Sequence, residues 1–205
     1  MSDLSRVPPG RSGRLWLRSR LRTARQAVDL LERKLQILRA EQERFALLSR
    51  RTRQRWRTSW RSADSWGVRA ALLGGPREMR LSAASERAQV SVSWTSVMGL
   101  RYPAQVTCRM PEPAAGDRSP GSAAVVEAAA AYRTALDAAV AHAAAESARR
   151  AVESEVAATR RRRRAIANRW VPGLERALRQ LTAELEEAER AETVRLRWAA
   201  SRIDR

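Results

Sequence analysis

The side chains best suited to covalent, acid-base or metal chemistry are scarce in this chain, and none stands beside the partners such chemistry requires. His142 is the only histidine. It lies among alanines, with no second histidine, no carboxylate pair and no nucleophile beside it, and it reads as an exposed helical residue. Cys108 is the only cysteine, which excludes an internal disulfide or a thiolate metal set and fits a reducing compartment; it reads as a small apolar filler. Serines are plentiful, yet no histidine other than His142 is present to activate one. No glycine-rich phosphate loop and no His-x-x-x-His or Cys-x-x-Cys spacing occurs. No cofactor, metal or small-molecule ligand is therefore expected, and any part in catalysis is exercised on another chain. One run has binding chemistry: Arg160 to Arg164 could meet phosphates. On a helix, however, five consecutive arginines radiate around the whole circumference, so some must flank the buried face.

The charge balance has the same bias. Lys and Arg total 40 against 22 Asp and Glu, a net charge of +18, and Lys34 is the only lysine. A charge of this size implies an acidic partner, whether nucleic acid, an anionic membrane surface or an acidic protein cavity. Aromatics make up only 5 % and charged residues 30 %, a mix that suits long helices better than a compact core. No apolar run approaches the roughly 20 residues of a membrane span, and Met1 to Arg11 lacks the apolar segment of a signal peptide. A cytoplasmic protein is expected.

The elements follow from periodicity. From Thr159 to Ile203 the apolar positions Val171, Leu174, Leu178, Leu181, Leu185 and Ala188 step by three and four, with charged residues between them, the pattern of a two-helix seam. A matching stripe stands near the start. Leu17, Leu21, Ala24, Val28, Leu31, Leu35, Leu38, Gln42 and Phe45 keep the same spacing, Ser12 is the expected N-cap, and neither Gly nor Pro interrupts residues 14 to 66. Beyond Phe45 the expected seam runs through Ser49, Thr52, Trp56, Trp60, Ala63 and Trp66. Pro172 lies inside the second stripe and predicts a kink or a restart of the helix there.

Gly74-Gly75-Pro76 ends the first helical pattern. Val90-Ser91-Val92-Ser93-Trp94 then alternates with period two, and Val97, Val106 and Thr107 are further strand formers. A hairpin is expected, with Met79 to Leu81 as its other strand; Met98-Gly99 and Tyr102-Pro103 are expected to bracket a turn. The alanine-rich stretch from Ser122 reads as helix, anchored by Tyr132, Leu136 and Val140. The expected fold is mainly α, a long antiparallel two-helix coiled coil with a small hairpin-containing knob mid-chain. Its parts are an N-terminal coiled-coil helix (11-73), a hairpin knob (74-110), a linker (111-121) and a C-terminal coiled-coil helix (122-203).

Four separated segments, in order, resemble the D-subunit family of V-type and A-type rotary ATPases. Pro9-x-Arg11 with Leu15, Leu21, Ala24 and Val28-Asp29-Leu30-Leu31 resembles the family's opening helix. Ser96-Val97-Met98-Gly99-Leu100-Arg101-Tyr102-Pro103 resembles its Asn-Val-Met-Gly-Val-x-x-Pro segment. Thr159-Arg160-Arg161-Arg162, Ala165, Ile166 and Val171-Pro172-Gly173-Leu174-Glu175 resemble its Thr-x-Arg-Arg and Ile-Pro-Arg-Leu-Glu signature, and Leu185 to Glu192 with Arg195-Leu196 resembles its charged tail. Ser96, Gly173 and Ala27 depart from the family's usual Asn, basic residue and Gly.

The resemblance implies a non-catalytic central rotor shaft that couples ATP synthesis or hydrolysis to proton or Na⁺ transport. Its implied partners are the catalytic A and B subunits, the F subunit and the C/d socket of the membrane rotor, at the inner face of the cell membrane. The residues implicated are the seam positions Leu21, Ala24, Val28, Leu31, Leu35, Leu38, Val171, Leu174, Leu178, Leu181 and Leu185, the ring-contacting candidates Arg14, Arg18, Arg22, Arg195, Arg197 and Arg202, and the knob residues Val97, Met98, Gly99, Tyr102 and Pro103. A basic coiled-coil protein that binds nucleic acid is the second reading, and a scaffold coiled coil the third.

Overall fold

The computed structural model describes residues 7-81, 86-111 and 122-203. The fold is mainly α, with one small antiparallel sheet in the middle of the chain. Helix α1 spans Gly10–Leu73 and a short α2 spans Gly75–Leu81; strands β1 (Gln89–Val97) and β2 (Leu100–Arg109) follow, then α3 (Ala123–Ala165), a π-helical turn (Ile166–Trp170) and α4 (Val171–Ile203). The chain divides into two compact units. One joins the segment up to Gln36 with that from Ala157 onward, and the other is Ile37–Val156.

In the first unit the beginning of α1 lies antiparallel to α4, since rising numbers on one helix meet falling numbers on the other. Arg11 pairs with Glu189 and Arg25 with Glu175, both at 2.8 Å. Arg163, at the end of α3, pairs with Glu32 at 2.6 Å. Leu17, Leu21, Ala24 and Leu174 form the buried core of this unit, with Trp16, Ile166, Val171, Ala177, Leu178 and Leu181 against it. The three-four spacing puts these residues on one stripe of each helix, and that stripe is what burial removes from water.

The second unit repeats the antiparallel arrangement with smaller side chains. Buried on α3 are Ala124, Val125, Ala128, Ala135, Ala138, Ala145, Ala148, Val152 and Val156, from Val125 onward in steps of three, four and seven that keep to one stripe made mostly of alanine. Tyr132 and Leu136, expected as anchors here, are instead 39 % and 42 % exposed. Near its end the seam of α1 departs from the expected stripe at Trp60; Ala63 is buried as expected, and Trp66 is half-buried against Ala70, Val125 and Ala128. Trp60 is 50 % exposed, while Ala63 and Ala70 are fully buried and Gly67 is buried beside them. An indole at that spacing attracts attention, but an uninterrupted heptad passes through Ser59 instead.

Local chemistry explains the breaks. Ser12 lies inside α1, and its hydroxyl donates to the Pro9 carbonyl at 3.0 Å, so it does not cap the helix; a cap accepts from a backbone N–H. Gly75, at φ 72°, turns the chain after α1 in a conformation that costs Gly little. Met79 to Leu81 belongs to α2 and not to a strand. The hairpin pairs β1 with β2, Gln89 opposite Arg109 through Val97 opposite Leu100, around the two-residue turn Met98-Gly99. Both turn residues have positive φ, 51° and 80°, which matches the right-handed twist of the strands. Tyr102 and Pro103 lie within β2, where Ser93 faces Gln105 and Trp94 faces Pro103, leaving Ala104 as the extra residue of a bulge. Proline lacks a ladder N–H, and a bulge is one of the few places in a sheet that accepts it.

Pro172 is the second residue of α4, directly after the π turn. Its ring clashes with the carbonyl four residues back, and widening that turn relieves the clash. Val171 N–H still closes the turn on the Ile166 carbonyl. Of the expected linker, residues 112-121 lie outside the described residues.

Candidate functional site

Glu146 of α3 is the centre of the densest polar cluster among the described residues. Arg149 grips both of its oxygens, Nε to Oε2 at 2.8 Å and Nη2 to Oε1 at 2.7 Å, and Arg150 Nε donates to Oε1 at 3.0 Å. From α1, Ser49 Oγ donates to Oε2 at 2.9 Å. Arg149 extends the network to Glu153. The Arg149 hydrogen bonds, aided by those of Ser49 and Arg150 and opposed by desolvation, hold the Glu146 carboxyl well below the usual carboxylate range. Arg149 is pushed further up for the same reason, chiefly by its bonds to Glu146.

One turn of α3 earlier, His142 is half-buried and not exposed as the sequence suggests. Its ring stacks on Trp56 at 5.6 Å and 19°, and Nδ1 lies 3.2 Å from Thr52 Oγ1. That hydroxyl's one proton is directed to its own helix, toward the Leu48 carbonyl at 2.9 Å or that of Ser49 at 3.1 Å. The same hydroxyl therefore ties His142 to the Thr52 turn of α1. The Glu146 carboxylate is thus bonded at both oxygens, and His142 is held by the Trp56 stack and the Thr52 hydroxyl.

The hairpin is attached through β2. Tyr102 is 4 % exposed and meets Phe45 edge-on at 4.9 Å and 74°. Arg44 covers Phe45 with its guanidinium 4.4 Å from the ring centroid. Of the other knob residues, Val97 and Pro103 are half-buried, while Met98 and Gly99 are exposed at the turn.

The remaining candidates fall into two groups. Among the seam residues Leu21, Ala24, Leu35, Leu38 and Leu174 are buried, and Val28, Leu31, Val171, Leu178, Leu181 and Leu185 are half-buried. Arg18, Arg22, Arg195, Arg197 and Arg202 are exposed. Arg14 is half-buried, with its Nε buried and unbonded. Beyond Leu185 every described side chain of α4 faces solvent, among them Val194, Leu196 and Trp198 at 65, 63 and 59 %.

Residues 15–201 match the family model for the D subunit of ATP synthase. The chain belongs to the ATP synthase D-subunit family. No match is found among curated proteins. As a member of that family the chain is a subunit of a rotary ATPase, and its partners are other subunits of that complex. Among the described residues no helix is long and apolar enough to cross a membrane, and no group of three or more His, Cys, Asp or Glu is placed to hold a metal ion.

Two features of this D-subunit family member, the Ser49-Glu146-Arg149 cluster and the Trp56-His142 stack, are absent from the sequence expectations. A signal for the first exists: Glu146, Arg149, Arg150 and Glu153 stand at helical spacings of three and four. Nothing in the sequence near His142 announces Trp56, which is supplied by a distant stretch of α1.

Proposed function

We propose that this chain is the central rotor shaft of a V/A-type rotary ATPase, a non-catalytic subunit that couples ATP synthesis or hydrolysis in the catalytic A and B ring to proton or Na⁺ transport. The observation that carries the reading is the family match over residues 15–201. Long antiparallel helices support it, because a shaft must resist bending and its two chain ends must enter the same cavity. Rotation then favours one conformation of each surrounding site in turn, and it does so only through differences in contact free energy between the shaft and those sites. The exposed arginines of both ends suit an acidic collar within the ring. The F subunit and the C/d socket of the membrane rotor are the partners proposed for the rest of the shaft, on the cytoplasmic side of the membrane.

Mixing the purified chain with its host's A and B subunits tests this. A salt-resistant complex with the ring is expected. Tight, sequence-dependent binding to duplex DNA with no A or B association would overturn the reading in favour of a nucleic-acid-binding coiled coil, the role that Arg160 to Arg164 suggests.

A further inference from the structure

The outer strand of the hairpin is exposed along its length and unpaired along one edge, with the Arg101 guanidinium of β2 5.7 Å from the Trp94 ring centroid. Its inner neighbour β2 meets the helices through Tyr102, and Val106 and Cys108 are half-buried as well. In β1, by contrast, residues 89 to 96 are all exposed, with Val90, Val92 and Trp94 at 50, 40 and 54 %. Among the described residues β1 has no strand neighbour other than β2, so its far edge offers a row of N–H and C=O groups that no strand pairs.

Exposed edges in soluble proteins are ordinarily blunted by charge, by proline or by a bulge in the edge strand. β1 has none of these. Gln-Val-Ser-Val-Ser-Trp-Thr-Ser-Val carries no charged residue in a chain that is 30 % charged, and the bulge and the proline both lie in β2. A two-stranded hairpin is also the least self-sufficient sheet, and a third strand stabilises it. From Arg87 to Pro111 the sequence holds Arg87, Arg101 and Arg109 and no acidic residue.

We propose that β1 accepts a third strand from another subunit of the same ATPase. The occupant is an extended segment that alternates apolar or β-branched residues against Val90, Val92 and Trp94 and carries acidic residues at its ends to meet the arginines. Main-chain hydrogen bonds hold such a strand, and the alternate side chains select it. A helix would leave the edge groups unpaired and so does not fit. The inference rests on membership of the complex and not on the shaft reading.

Hydrogen exchange resolved to single amides, on the intact ATPase purified from its host and on the isolated chain, tests it. The β1 amides that point away from β2, every second one between 89 and 97, are expected to exchange at least about tenfold more slowly in the complex. The paired variant Val92→Lys with Trp94→Lys should leave the circular dichroism of the isolated chain unchanged, since both side chains are exposed, and should return those amides to free-chain rates in the reconstituted complex. Equal rates in complex and free chain would overturn the proposal. Slowing without alternation would overturn it too, because a covering helix or loop buries both sets of amides alike. A concentration-dependent dimer of the isolated chain with the same alternating protection would overturn it by assigning the edge to a second copy.

Discussion

Ser49 Oγ donates to Glu146 Oε2 at 2.9 Å and joins α1 to α3 at a point where the seam is polar on both sides. Glu146 is already held by Arg149 and Arg150 on its own helix, so the serine adds a bond to a charge whose desolvation is largely compensated. Ser49→Ala is therefore expected to cost about 1 to 2 kcal/mol in urea unfolding at pH 7. The acid limb gives a second check. Because the folded carboxyl titrates below the usual range, its stabilisation is complete above the ordinary glutamate value of about 4.3, erodes as the pH falls below that, and is gone once the folded value is passed. Glu146→Gln should flatten this part of the stability profile, and an unchanged acid limb would show that the cluster is not energetically coupled to folding.

Burial differs sharply between two leucines of α4, and so should their substitution. Leu174 is 1 % exposed in the core it forms with Leu17, Leu21 and Ala24. Leu174→Ala is expected to destabilise the isolated chain by about 2 to 5 kcal/mol. Leu196, 63 % exposed, should tolerate alanine within about 0.5 kcal/mol. Denaturant midpoints of the two variants against the parent chain decide this, and similar losses for both would mean that the end of α4 is packed in solution.

These two residues also mark how much of the fold is legible in the sequence. Where the seam is built of leucine and valine, as at Leu17, Leu21 and Leu174, three-four spacing stands out against polar neighbours. Where it is built of alanine, as from Ala124 to Ala148, it does not, because alanine is common on every face of α3 and only burial separates Ala135 from Ala139. Larger side chains then draw the eye, so Tyr132, Leu136 and Trp60 look like anchors although the periodic positions are smaller. The hairpin's second strand is hidden for a different reason. A two-residue turn with Met at positive φ is unusual, and proline inside β2 argues against a strand until the bulge at Ala104 is known. Family resemblance carries the functional assignment further than composition does, since +18 alone fits several partners. The cross-helix clusters at Glu146 and His142 depend on which turns face each other, and spacing within one helix does not contain that.

Gly67 shows why a small residue persists in the interior of α1. A Cβ there would fall 2.5 Å from Tyr132 Oη and 3.3 Å from ring carbons, and the ring is also edge-on to Trp60 at 6.1 Å. Alanine gains about 1 kcal/mol of helix propensity over glycine, while crowding the Tyr132 ring against its Trp60 neighbour costs about 1 to 3 kcal/mol. Gly67→Ala is expected to be destabilising by about 1 kcal/mol in the parent chain. With Tyr132→Phe the hydroxyl is gone and the remaining contacts are tolerable, so adding Gly67→Ala to that variant should be stabilising. A double-mutant cycle measured by thermal unfolding checks the change of sign; additive effects would mean that Tyr132 moves away freely.

The exposed arginines separate binding from folding. Arg18, Arg22 and Arg197 have open surroundings, Arg195 lies 3.7 Å from Glu192, and Arg202 sits 4.0 Å above the Trp198 ring. Contacts this exposed contribute little to stability, so replacing all five with Gln should leave helical circular dichroism unchanged and shift the free energy of unfolding by less than about 1 kcal/mol. Arg14 is kept, because its Nε is buried. Two binding measurements then discriminate. Non-specific affinity for duplex DNA should be weak and should collapse between 50 and 200 mM salt, by about 10³ to 10⁵ if six to ten phosphates are touched, and the five-fold variant should flatten that slope. Affinity for the host's A and B subunits should fall in the variant at low salt, yet in the parent chain it should persist at 200 mM, because shaped apolar contact is not screened as exposed charge is. Val194, Leu196 and Trp198, exposed beside the arginines, are the apolar side chains proposed to make such contact. Loss of DNA affinity with ring affinity unchanged would remove these arginines from the proposed collar and leave the apolar end of α4 as the part that enters the ring.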